Sequence, residues 1–105
     1  MNNFSDMLSK AKKMQDKMRE VQESIKNIEV EGVAGGNLVK VVLRGDNEMK
    51  SIFIDEAAKK EKDEVMNDLI VAAYNDAKDK LKKKTSEEIA KATSVSNLPF
   101  DLKNF

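Results

Sequence analysis

The chain lacks cysteine, histidine and tryptophan, and it has a single proline in 105 residues. Without cysteine there is no disulfide, no thiolate nucleophile and no cysteine-bound zinc. Without histidine, the commonest general base and the commonest metal ligand are also missing. We therefore expect a binding protein rather than an enzyme, with no metal, no cofactor and no small-molecule substrate.

Long apolar stretches are lacking as well. Residues 1–10 contain no apolar run typical of a signal peptide, and the densest apolar stretch, residues 69–74, is far shorter than the ~20 residues that span a bilayer. We expect a soluble, cytoplasmic protein with no membrane partner. The length suits one domain, which we place at residues 1–92, followed by an irregular tail at residues 93–105.

The N-terminal quarter has an apolar heptad pattern. Two sets of apolar residues, each spaced seven apart, alternate by three and four: Phe4, Ala11, Met18, Ile25 and Met7, Met14, Val21, Ile28. This is the a/d pattern of a helix that packs along a narrow seam against another helix. The pattern predicts a helix over residues 4–27.

The middle third changes to a period of two, which is typical of strands. Three such stretches, within residues 28–31, 39–44 and 49–55, are separated by turns rich in glycine and asparagine. Short turns predict an antiparallel three-stranded meander. The glycine pair at residues 35–36 also suggests a phosphate-binding loop, but a strand rather than a helix follows it, so a hairpin turn is the better interpretation.

From Asp63 onward the pattern is helical again, with one broad apolar face extending to Leu81. Thr85 and Glu88 match a capping box, which predicts a break near Thr85 and a new helix toward Ala92. The fold class predicted is therefore α+β, in the order helix, three-stranded antiparallel meander, helix.

The open edges of such a sheet predict a homodimer. An unpaired strand edge is a liability for further pairing, and these strands carry apolar residues on both faces, which two helices do not readily cover. We predict that two chains join through the sheet. The dimer interface is assigned to apolar strand residues: Val39, Val41, Leu43, Ile52 and Ile54.

Basic and acidic residues cancel over the chain, 19 of each, but they are segregated along it. Residues 1–28 and residues 76–91 each carry six basic and four acidic residues, whereas residues 29–75 carry six and ten. One interpretation is a solvated helix surface laced with salt bridges; the other is attraction to a polyanion through phosphate contacts. The sequence pI of about 6.3 is low for a nucleic-acid-binding domain.

Six segments occur in an order known from one protein family. They are KKMQDKM (12–18), IEVEG (28–32), AGGNLVKV (34–41), ID (54–55), DLIVAAYNDA (68–77) and LPF (98–100). Together they resemble the YbaB/EbfC family of bacterial nucleoid-associated proteins. The chain departs from the family pattern at Glu56, where a proline is common, and in its shortened C-terminal end.

The resemblance implies a small dimer with a shared sheet and helices that project like tweezers. It also implies DNA binding in the nucleoid without enzymatic activity, and a role in nucleoid organisation or gene regulation. The family's DNA contacts fall on the projecting helices, which here carry these basic residues: Lys10, Lys12, Lys13, Lys17, Arg19, Lys78, Lys80, Lys82, Lys83 and Lys84.

A second interpretation is a coiled-coil interaction scaffold or a prefoldin-like chaperone that does not bind DNA. Helices with methionine-rich seams on either side of a hairpin are similar to that organisation. The short first helix, about 24 residues, and the third strand weigh against it.

Overall fold

The computed structural model describes residues 2–96, which form six elements. They are α1 (Asn2–Lys26), β1 (Glu29–Ala34), β2 (Val39–Arg44), β3 (Met49–Ile54), α2 (Glu56–Lys59) and α3 (Asp63–Ser96). The strands form one antiparallel sheet in the order β1-β2-β3. The predicted order of helix, three-stranded meander and helix is confirmed.

The β1–β2 turn sets the register of the sheet. Residues 35–37 all have positive φ, between 62° and 77°, which glycine and asparagine tolerate better than other residues. With this turn Gly32 lies opposite Val41, and Val41 in turn lies opposite Ile52. Because directly opposite residues share a face, these three positions define the face of the sheet that α3 covers.

The core lies between α3 and the first two strands. Its residues from β2 and α3 are at most 4% exposed: Val39, Val41, Leu43, Ala73, Ala77 and Leu81. Gly32 permits this packing, because a Cβ atom at that position would overlap the backbone of Ala73 and Ala77. The alanine-rich part of α3 therefore lies directly against the backbone of β1.

The predicted break near Thr85 is wrong, because α3 is continuous through that residue. Leu81 and Ile89, eight residues apart on one face of the helix, are only 4% and 6% exposed. Val21 of α1 and Ala92 of α3 line one hollow between the two helices. Burial of this face stabilises the helical conformation at Thr85. Thr85 therefore lies inside a helix and does not cap a helix N-terminus.

The C-terminal tail is described only in part. Helix α3 includes residues 93–96, so the first four residues of the predicted irregular tail are helical. The LPF segment and the rest of the tail, residues 97–105, lie outside the described residues.

Helix α1 runs antiparallel to the distal half of α3. Ile25 packs on the core that contains Leu81, whereas Lys17 lies near Ala92, farther along α3. The predicted apolar seam is therefore partly buried against α3 over the C-terminal half of α1. Its N-terminal half extends past this contact, and the molecule is 73 Å long and only 21 by 17 Å across.

Candidate nucleic-acid interface

All ten basic residues predicted to contact DNA lie on α1 or α3. Nine of them are exposed, and Lys17 is half-buried. The two sets do not lie side by side. The α1 set extends toward the free end of α1, whereas Lys84, the last of the α3 set, precedes Ala92 by eight residues, about 12 Å of helix. The basic residues are therefore spread along the two helices rather than gathered in one patch.

Lys91 adds a cation between these two sets, and the sequence did not predict it as a contact residue. It lines the hollow between the helices together with Lys17, and its side chain is 76% exposed. Its Nζ atom lies 3.5 Å from Oε1 of Glu88. The continuous course of α3 brings Lys91 to this position, so its place became visible only with the structure.

Lys80 holds α3 on the sheet. Its Nζ atom donates to the carbonyl oxygen of Glu31 at 3.0 Å and lies 3.0 Å from Oδ2 of Asp76. The same Oδ2 atom accepts the backbone N–H of Val33 at 2.9 Å. These contacts occupy backbone groups on the outer edge of β1. Lys80 thus has a structural role, which the charge pattern of the sequence did not reveal.

Lys17 and Arg19 have acidic neighbours one turn away. The nearest atoms are 3.8 Å apart for Lys17 and Glu20, and 3.7 Å apart for Arg19 and Asp16. Exposed pairs of this kind contribute about 0–1 kcal/mol, so phosphate groups readily compete with them. Within residues 2–96 the other predicted lysines form no ion pair with a carboxylate: Lys10, Lys12, Lys13, Lys78, Lys82, Lys83 and Lys84.

Two carboxylates that bind groups of the fold, those of Asp76 and Glu29, have lowered pKa values. The hydrogen bond from the Val33 N–H and the neighbouring Lys80 lower the pKa of Asp76. The hydrogen bond from Lys50, at 2.7 Å, lowers the pKa of Glu29 in the same way. Both carboxylates are ionised at neutral pH and bind groups of the sheet or of α3.

The residues assigned to a dimer interface divide into two groups. Val39, Val41 and Leu43 are at most 1% exposed beneath α3 of the same chain, so their side chains are not accessible to a second chain. The assignment is corrected for these three residues, because β2 is the central strand and α3 covers its apolar face. Ile52, by contrast, is 43% exposed on β3, and Ile54 is half-buried.

An exposed apolar strip lies on the β3 side of the molecule and is formed by Met49 and Ile52 of β3 and Val71 of α3. Their side chains are 44%, 43% and 58% exposed. Met49 and Val71 of this strip, together with Ile70 and Tyr74, line an open apolar hollow of about 350 Å³. The opposite edge, β1, is covered by the Asp76 and Lys80 side chains, so the two edges of the sheet differ.

No helix within residues 2–96 is long and apolar enough to cross a membrane. The same part of the chain contains no group of three or more aspartate or glutamate side chains placed to hold a metal ion.

Proteins similar over nearly the whole chain are named nucleoid-associated proteins. One from Agrobacterium fabrum is 43% identical over 104 residues, which are 98% of this chain and 97% of that protein. One from Granulibacter bethesdensis is 39% identical with the same coverage. An uncharacterised protein from Helicobacter pylori has the same fold, with a TM-score of 0.66 at 23% identity, over 80% of this chain and 89% of its own.

The YbaB/EbfC DNA-binding family matches residues 1–96, from the start of α1 to the end of α3. The match therefore includes both basic helices and the sheet between them. With relatives at about 40% identity over nearly their full lengths, the chain belongs to the YbaB/EbfC DNA-binding family.

Proposed function

We propose that this nucleoid-associated protein binds duplex DNA as a homodimer, through the lysines of α1 and α3. Membership of a DNA-binding family supports DNA as the partner. The observation that carries the binding mode is the row of exposed lysines along two antiparallel helices, most of which have no carboxylate partner within residues 2–96. A DNA partner places the protein in the nucleoid, and thus in the cytoplasm.

Binding of this kind is driven by the phosphate backbone. Lysines that neutralise phosphates release condensed counterions, so the affinity falls steeply as salt increases, with little dependence on sequence. The acidic middle of the chain, with ten acidic and six basic residues, repels DNA from the sheet. The segregation of charge therefore directs DNA to the helices even though the net charge is zero.

The second copy pairs along β3 in this proposal. An exposed strand edge offers unpaired N–H and C=O groups, and the apolar strip beside it removes further apolar surface from water when two copies meet. A two-fold axis makes such an interface self-complementary, which closes the assembly at two chains. The dimer carries two copies of each basic helix.

The salt dependence of DNA binding tests the proposed function. We expect a mobility-shift titration between about 50 and 200 mM salt to show a steep loss of affinity. Replacing Lys10, Lys12 and Lys13 by serine is expected to weaken binding to all sequences. The slope of log K against log salt should also decrease, by about 0.9 for each phosphate that the variant no longer neutralises.

Lys59 and Lys60 provide the matched control, because both are exposed and lie in the acidic middle of the chain. Their replacement by serine is expected to leave the salt slope unchanged. Absence of binding at low salt would contradict the proposed function. An unchanged slope in the α1 variant would exclude α1 as a contact surface.

A further inference from the structure

The N-terminal end of α1 exposes an apolar strip that packs against no other element within residues 2–96. We call Phe4, Met7, Leu8 and Ala11 the tip strip. Phe4 is 69% exposed, Met7 67% and Leu8 56%, and Ala11 is also exposed. Their spacing of three and four residues places them on one face of the helix. A contiguous group of exposed large apolar side chains is a candidate interaction site.

The tip strip extends beyond the described end of α3. Lys17 of α1 lies beside Ala92 of α3, and the helices run antiparallel, so Ser96 lies about level with Lys13. At 1.5 Å per residue, Phe4 is about 13 Å farther out. Among the described residues, the strip is thus carried on a helix that projects beyond the other elements.

Lysines flank the tip strip at its Ala11 end. Successive helix residues are about 100° apart, so Lys10 and Lys12 lie on opposite sides of Ala11. Lys17, one heptad after Lys10, continues the first side. Asp6 lies on the same side as Lys10 but one turn closer to the helix N-terminus, so the cations border only the Ala11 end of the strip. An apolar surface with cations on both sides of that end complements a groove whose floor is formed by bases and whose two walls are formed by phosphates.

We propose that the tip strip is a wedge that opens the minor groove of duplex DNA, with Phe4 and Met7 inserted at a base step. The proposal rests on the proposed function, and it adds a mode of contact that lysines alone do not supply. Phenylalanine, leucine and methionine are among the side chains that unstack base steps, and their insertion bends DNA toward the major groove.

The dimensions of the groove require deformation of the DNA. An α-helix with its side chains is about 10 Å wide, whereas the minor groove of B-form DNA is about 6 Å wide. Insertion therefore widens the groove and kinks the duplex, and flexible pyrimidine–purine steps favour it.

Fluorescence of 2-aminopurine at a TA step in a short duplex tests the wedge, because the base becomes brighter when it is unstacked. We expect the wild-type protein to raise the signal several-fold at saturation. Energy transfer between dyes at the two duplex ends is expected to report a bend of roughly 20–90°. Replacing Phe4, Met7 and Leu8 by alanine is expected to abolish both signals while the salt slope stays unchanged.

Val65→Ala is the matched control, because it removes an apolar side chain that is 41% exposed near the start of α3 and belongs neither to the tip strip nor to β3. It is expected to unstack and bend DNA as the wild type does. Salt-dependent binding without brightening or bending would overturn the wedge and leave the proposed function intact, whereas no binding at about 50 mM salt would overturn both. The tip variant gives three further outcomes that would overturn the wedge. They are continued brightening of the probe, a mass of the free variant protein that differs from that of the free wild type by more than the substitutions, and loss of binding to anionic phospholipid vesicles.

Discussion

At the scale of single residues, Asp76 connects α3 to β1, the outer strand of the sheet. One carboxylate oxygen accepts the Val33 N–H and also contacts Lys80, which reaches the Glu31 carbonyl. These groups belong to the outer edge of β1, which would otherwise be open to pairing. The segment that contains Asp76 was prominent in the sequence as part of a family motif, but its bond to Val33 became visible only in the structure.

We expect Asp76→Asn to change the acid sensitivity of the protein. The folded-state pKa of Asp76 is lowered from 3.8, so its ionised form adds stability above that pH. This stability is lost as the pH falls through the lowered folded-state value. Urea unfolding between pH 2.5 and about 7 should show a less stable variant at neutral pH and a difference that narrows in acid.

Asp79→Asn, at an exposed position on the same helix, serves as the control and should unfold as the wild type does at each pH. The free energies of unfolding of Asp76→Asn and the wild type could instead differ by the same amount down to the lowest pH. That result would show that the carboxylate charge of Asp76 has no such effect.

At the scale of elements, periodicity predicted α1, the three strands and the start of α3 to within a few residues. The heptad pattern of α1, the alternation in the strands and the apolar face of α3 all correspond to observed elements. The break at Thr85 was predicted from a local pattern alone. It fails because Leu81 and Ile89, on either side of Thr85, are both buried.

Ile89→Ala is expected to destabilise the distal half of α3. Truncation of a buried isoleucine costs about 2 kcal/mol or more, and the loss should fall on the contact between α1 and α3. Hydrogen exchange of backbone amides around residues 85–92 should accelerate. Ser86→Ala, at an exposed position of the same turn, is the control and should leave exchange unchanged. Equal exchange in both variants would mean that propensity, rather than packing, keeps this part helical.

At the scale of the whole molecule, the two edges of the sheet have different surroundings. β1 is covered by side chains of α3, whereas β3 carries the exposed apolar strip and the hollow beside Val71. This difference supports β3 as the edge at which two copies pair, and it moves the proposed interface away from the buried residues of β2.

Ile52→Lys should therefore dissociate the proposed dimer, because it places a charge in the apolar strip on an edge strand. Light scattering at micromolar concentration should give twice the chain mass of 11.8 kDa for the wild type and the single mass for the variant. Glu31→Lys, on the covered β1 edge, is expected to remain dimeric. A wild-type protein of monomeric mass would contradict the dimer, and circular dichroism checks that both variants are folded.

The sequence by itself determined the order of elements and the family of the chain. Periodicity follows from the geometry of a single helix or strand, and the six family segments are short stretches whose residues can be compared without knowing the fold. Tertiary structure decided the roles of particular residues. In the structure Lys80 binds the backbone of β1, Val41 is buried beneath α3, and Phe4 is exposed on a projecting helix. Those roles depend on which elements meet, and contacts between distant segments leave no periodic trace in the sequence.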